Sequence, residues 1–303
     1  MTRNAAALES FGSVLVAMVT PMDADGDLDI DAAVVLAEKL VADGVSGIVL
    51  NGTTGESPTT HQPEKDALVR AVVDAVGDRV RIVAGAGSND TKHAVRIAAS
   101  AERTGAHGLL INAPYYNRPS QEGVYRHIRA VADAADLPVM LYDIPGRTGV
   151  AIGDEALDRL AEHPRVLAVK DATGDVPAGF ARMRRTGLAF YSGDDALNLA
   201  WLTHGAVGVV SVIGHVVAGP IAEMVGCISR GDLRRAQDLA VELVGVCDAI
   251  MGAGQGAVYA KAALDLLGVI PSRAVRSPLV AATEDELADL AERLRVAGLF
   301  PAP

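Results

Sequence analysis

From residue 13 to residue 212 the chain alternates between two patterns. Short apolar runs, rich in β-branched residues, recur at Ser13–Thr20, Ser46–Asn51, Val80–Ala84, Gly108–Asn112, Pro138–Tyr142, Val166–Lys170, Leu188–Ser192 and Gly205–Val212. They are continuous rather than alternating, as expected of parallel strands covered on both faces. Between them, segments such as Asp31–Asp43, Gln62–Val76, Thr91–Thr104 and Gln121–Ala135 repeat apolar residues three and four apart. That spacing predicts amphipathic helices. Eight strand–helix units in sequence predict an α/β fold, a closed (β/α)8 TIM barrel, because an open doubly wound sheet typically has fewer strands.

After Val216 the strand pattern stops. Ile221–Ile228, Leu233–Ile250, Gln255–Leu267 and Glu284–Val296 read as helices separated by Gly or Pro. We therefore expect a barrel over residues 1–230 and a C-terminal helical extension over residues 231–303, serving packing or assembly rather than chemistry.

Composition narrows the function without naming it. Half of the 303 residues are hydrophobic and 21% are charged, the profile of an ordinary globular chain. The net charge is −11 and the longest basic runs are pairs such as Arg184-Arg185 and Arg234-Arg235. Nucleic acid and anionic membrane are thereby disfavoured as partners, since both call for concentrated positive charge. No G-x-G-x-x-G or G-x-x-x-x-G-K-[ST] motif follows the first strand, which counts against a nucleotide cofactor. Cys227 and Cys247 lie in apolar, helix-patterned stretches and read as small buried hydrophobes. Met1–Ser10 has no basic region leading into an apolar core, and no run of 18 uncharged apolar residues occurs, so a cytoplasmic protein is expected.

In a barrel of this kind reactive groups sit where strands run into the loops that follow them. Lys170 ends the run Val166–Val169, where an unpaired ammonium is costly to bury. It either snorkels out or pairs with an acid such as Asp171, or it exploits that cost, because burial depresses an amine's pKa and leaves a neutral nucleophile. Gly52-Thr53-Thr54-Gly55 offers hydroxyls and backbone N–H groups in a tight turn suited to a small carboxylate, or simply caps the next helix. Glu56 is expected to start that helix or anchor the loop. Tyr142, on the strand beside Lys170, is either packing or a proton relay. Arg147, in a turn with Pro145 and Gly149, is either a surface ion pair or a fork for a carboxylate. Asp194-Asp195 is expected to cap a helix, since neighbouring strand residues face opposite ways and no His completes a metal set.

Two spaced motifs, Gly47–Glu56 with Glu64, and Tyr142-Asp143-Ile144-Pro145 through Thr148 to Ala168–Ala172, resemble the dihydrodipicolinate synthase/N-acetylneuraminate lyase family of pyruvate-dependent lyases and aldolases. The resemblance runs from Gly12 to the C-terminal helices. It implies an imine between Lys170 and pyruvate, and a proton relay of Tyr142, Thr53 and Tyr116, the last serving a neighbouring subunit's site. It further implies that Thr54 and the backbone around Val210 hold pyruvate, and that Arg147 holds the carboxylate of L-aspartate 4-semialdehyde. Arg147 and Asn117–Ser120 fit the synthase branch. No metal or organic cofactor is implied, and the assembly implied is a homotetramer, a dimer of dimers. The alternatives are a 2-keto-3-deoxy sugar acid aldolase of the same family, which Arg147 argues against, and a non-catalytic barrel binding a 2-oxo acid, which would need no relay. One departure stands out. Lysine-inhibited members usually carry His and Glu where this chain has Lys65 and His93, so weak or absent lysine feedback is expected.

Overall fold

A computed structural model describes residues 2–299. Eight parallel strands close into a barrel in chain order: β1 (Val14–Ala17), β2 (Gly47–Leu50), β3 (Arg81–Gly85), β4 (Gly108–Asn112), β5 (Val139–Asp143), β6 (Val166–Asp171), β7 (Ala189–Ser192) and β8 (Gly208–Ser211). β8 pairs with β1, with Leu15 opposite Val210, and that pairing leaves no open sheet edge. The strands are shorter at several ends than the apolar runs that predict them. At Gly205, for example, the chain turns with φ at 103°, and the Ala206 N–H donates to the Trp201 carbonyl, closing the preceding helix before β8 can start.

Alternation along each strand sorts the core into two bodies. Leu15, Val49, Val83, Leu110, Met140, Ala168, Ala189 and Val210 pack together in the barrel lumen. The intervening residues, among them Val16, Ile48, Ile82, Leu109, Leu141 and Val169, pack outward against the helices. Every strand is thus covered on both faces, which is why its sequence shows no polar alternation.

The periodicity did not predict two features. A helix at Arg3–Phe11 crosses the floor of the barrel, where Phe11 packs edge-on against Tyr191 with ring centroids 6.4 Å apart. The Tyr191 hydroxyl donates to the Gly12 carbonyl, and Arg3 donates to the carbonyls of Thr186 and Ala161. Gly108, first in β4, leaves room for this plug: a Cβ there would lie 2.7 Å from the Phe11 ring. In addition, the helix expected from Ile221 already begins at Gly214 and passes through Pro220, with Val217 out of helical geometry. The kink accommodates the proline's missing N–H. Helices Leu233–Met251, Gly256–Leu266 and Glu284–Val296 follow. Among the described residues no single helix is long and apolar enough to cross a membrane.

Candidate active site

The side-chain alternation that fills the lumen also aims the reactive groups. In β6, Ala168 faces inward, Val169 outward and Lys170 inward again; in β5, Met140 and Tyr142 face inward. Tyr142 stands opposite Lys170 in the strand register. The Lys170 amine lies over the Tyr142 ring, 4.1 Å from its centroid, while the residue is 4% exposed. It has no hydrogen bond or ion pair among the described residues. Asp171 does not neutralise it, because that carboxylate points outward and takes the Thr173 N–H and hydroxyl. The tyrosine face is the amine's polar neighbour, a weak partner for an ammonium compared with a carboxylate. On the neighbouring strand's end, directly after β7, Gly193 provides clearance: a Cβ there would come within 3.0 Å of Lys170 Cγ and Cε.

The turn after β2 is rigid. Asn51 and Glu56 both take positive φ, 55° and 57°, which non-glycine residues adopt only when their surroundings hold them. Glu56 N–H donates to the Thr53 carbonyl, Ser57 N–H to the Gly52 carbonyl, and the Thr20 hydroxyl to the Gly55 carbonyl. Thr53 opens into a cleft of about 280 Å³ at the C-terminal mouth, lined also by Asn112, Tyr142, Arg147, Thr148 and Gln255. Arg147 is exposed, and its fork donates to no carboxylate among the described residues; it donates to the Gln255 side-chain oxygen at 3.2 Å. A guanidinium left without an acid in a cleft is a site for an anion.

Of the seven expected site residues, Thr53, Tyr142 and Arg147 line one cleft. Lys170 adjoins it through the Tyr142 ring, and Val210 lies in the same lumen cluster as Tyr142. Thr54 sits half-buried in the rigid turn, outside the cleft lining. Tyr116 is 86% exposed on a loop with φ of 71° and does not line this chain's own cleft. Asp194 caps the turn that follows β7, and Asp195 accepts the Val212 and Ile213 N–H groups, tying that loop to β8.

Sequence reasoning missed several contributors. Asp143 and Asp171, the outward neighbours of Tyr142 and Lys170, face each other in register, and Arg182 donates to Asp143 at 3.2 Å. Burial foremost, with Asp171 adding, pushes the Asp143 carboxyl up to about 6. The strand alternation could have flagged both acids as outward-facing, but nothing local points to Arg182. The C-terminal extension also does more than pack or assemble. Gln255, Pro278 and Leu279 form part of the cleft wall, a role that linear distance conceals.

Comparison with known proteins agrees with this arrangement. The model of the dihydrodipicolinate synthetase family matches residues 10–297. A 4-hydroxy-tetrahydrodipicolinate synthase of Kineococcus radiotolerans is 54% identical over 296 residues, covering 98% of this chain and 96% of that protein. A Streptomyces coelicolor protein named 4-hydroxy-tetrahydrodipicolinate synthase 2 is 53% identical, covering 95% of this chain and 96% of its own. The crystal structure of dihydrodipicolinate synthase DapA-2 from Bacillus anthracis superposes with a TM-score of 0.90 at 40% identity, covering 96% of this chain and 99% of that one. With the barrel, the mouth-facing lysine and a family match over nearly its whole length, the chain belongs to the dihydrodipicolinate synthetase family.

Proposed function

We infer that the chain is an enzyme, a lyase that condenses pyruvate with L-aspartate 4-semialdehyde to give 4-hydroxy-tetrahydrodipicolinate, the activity for which its relatives are named. The product places it in diaminopimelate and lysine biosynthesis. The observation that carries the residue assignment is the Lys170 amine, 4% exposed, against the Tyr142 face and without an acid partner among the described residues. Such an amine, tied to no acid and aimed at the mouth of the barrel, is placed to meet a carbonyl carbon.

In this reading Lys170 adds to the keto carbon of pyruvate and water leaves, forming an imine. The protonated imine draws electrons, so a methyl proton departs and an enamine forms. The enamine carbon attacks the aldehyde carbon, and the aldehyde oxygen takes a proton to become the hydroxyl. The amine of the adduct then attacks the imine carbon, the ring closes, and Lys170 is released. Tyr142, Thr53 and Tyr116 relay the protons, Tyr116 from a neighbouring subunit. Thr54 and the backbone at Val210 hold the pyruvate carboxylate, and Arg147 holds that of the semialdehyde. We propose a homotetramer, residues 1–230 as the catalytic barrel, residues 231–303 as the extension that completes it, and a cytoplasmic location.

Treatment with pyruvate and borohydride, followed by peptide mapping, tests the central step. A reduced pyruvyl adduct is expected on the Lys170 peptide and absent from Lys170→Ala. An adduct elsewhere, or none in a chain that turns over, sinks the assignment.

A further inference from the structure

The deepest charges in the molecule lie outside the reacting groups. Lys261, in the helix Gly256–Leu266, and the carboxylate of Glu56 are each completely buried, and Lys261 Nζ meets Glu56 Oε1 at 2.5 Å across 205 residues of sequence. Each polar atom of the pair has a partner here. Lys261 also donates to the Ala274 carbonyl at 2.6 Å, and the second Glu56 oxygen accepts the Arg276 backbone N–H at 2.9 Å. The Arg276 side chain continues the seam, donating to the Thr59 and Gly26 carbonyls and to both oxygens of Glu64.

A buried ion pair is weak evidence for stability, since desolvating two charges offsets most of their attraction; its better-attested use is to enforce one arrangement. Here the enforced element is distinctive. Glu56 ends the Thr53-Thr54 turn at a φ of 57°, a conformation disfavoured for glutamate without an outside constraint, and its N–H closes the turn on the Thr53 carbonyl. The segment that supplies the constraint also carries Pro278 and Leu279 to the cleft wall.

We propose that Glu56 and Lys261 are positioning residues: their buried pair clamps the Thr53-Thr54 turn to the C-terminal extension, so that the extension sets the geometry in which pyruvate is held. Glu56 belongs to the cleft lining, but neither side chain hydrogen-bonds to Lys170, Tyr142 or Arg147. The proposal rests on the assignment of Thr53 and Thr54 above, and its test separates the two.

The first measurement needs no variant. Native-state hydrogen exchange on the whole protein is expected to show the amides of residues 53–57 and of Ala274–Arg276 opening together, with one dependence on denaturant. Independent opening of the turn while the junction stays closed overturns the proposal. The second uses Glu56→Gln/Lys261→Met, which removes both charges and avoids stranding one. A displaced turn is expected to raise KM for pyruvate at least tenfold and lower kcat, while borohydride at saturating pyruvate still labels Lys170 fully. A merely structural defect would reduce the active fraction, lowering kcat and labelling together with KM unchanged, and that result, or wild-type kinetics, counts against the clamp. Should the variant not fold, the exchange experiment alone decides. Should the wild-type protein fail to turn over the two substrates, the functional reading falls while the exchange result still stands.

Discussion

At the scale of single residues, three positions make distinct demands. Thr53→Val keeps the shape of the turn and removes a hydroxyl from the proposed relay; kcat is expected to fall about 100-fold, within the usual range for one positioned proton-transfer group. Arg147→Ala removes a fork that no acid among the described residues occupies. Steady-state kinetics should show KM for the semialdehyde raised ~10- to 100-fold, equivalent to about 1.5–3 kcal/mol of charged hydrogen bonding, with pyruvate labelling intact. Gly193→Ala would press a methyl to within 3.0 Å of Lys170 and 2.9 Å of the Asp171 carbonyl. Slower borohydride trapping is expected from it, with the second substrate's KM unaffected. Lys65 makes a fourth case. It is buried, donates to the Ser57 carbonyl and hydroxyl and to Thr60, and burial foremost brings its amine down to about 8. No carboxylate hydrogen-bonds to it among the described residues, so a second ammonium would meet like charge there, and millimolar lysine is expected to leave turnover unchanged.

At the scale of elements, the closure between β1 and β8 depends on a histidine. His215 is fully buried; its Nδ1 donates to the Val212 carbonyl and its Nε2 accepts the Val19 N–H at 3.0 Å. Both bonds require the neutral ring, because a proton on Nε2 would set one donor against another. Burial accordingly holds its pKa down to about 4, and burial does the same for His127. An unfolded imidazole titrates near 6.5. Between these values the unfolded chain binds more protons, so stability is full above pH ~6.5 and is lost as the pH falls toward ~4. His215→Leu leaves the Val19 N–H without its partner, at a cost of about 1–3 kcal/mol at neutral pH. Denaturation midpoints across that window should show a shallower acid slope for the variant; an unchanged slope would acquit His215. The strands and most helices around this closure were legible in the sequence because burial on both faces writes an unbroken apolar run. The helix at Arg3–Phe11 was not, since only Ala7 and Phe11 of its nine residues are buried and its polar majority reads as a tail. Likewise Lys170 and Tyr142 could be found from their strand ends, whereas Glu56 looked like a local anchor because its partner lies 205 residues away.

At the scale of the whole molecule, the exposed Tyr116 is the residue one chain cannot explain alone. Lysine and tyrosine from different chains in one site would make two dead variants complementary. Lys170→Ala and Tyr116→Phe chains, refolded together, are expected to regain turnover through sites that combine one's intact Lys170 with the other's Tyr116. A mixture no more active than its components would place both groups in the same chain. Sedimentation should then show whether activity disappears as the assembly dissociates.

The helix across the barrel floor has a consequence for traffic. The lumen below Lys170 is packed with side chains and floored by Phe11, so whatever reaches the amine comes and goes by the cleft at the C-terminal mouth. On the proposed mechanism, pyruvate has to pass the place where the aldehyde will sit, and the water expelled on imine formation must leave before that place is filled. Arrival order is then imposed by depth rather than by affinity. Initial rates with both substrates varied should give parallel double-reciprocal lines, and an excess of the semialdehyde should obstruct the doorway and slow the enzyme.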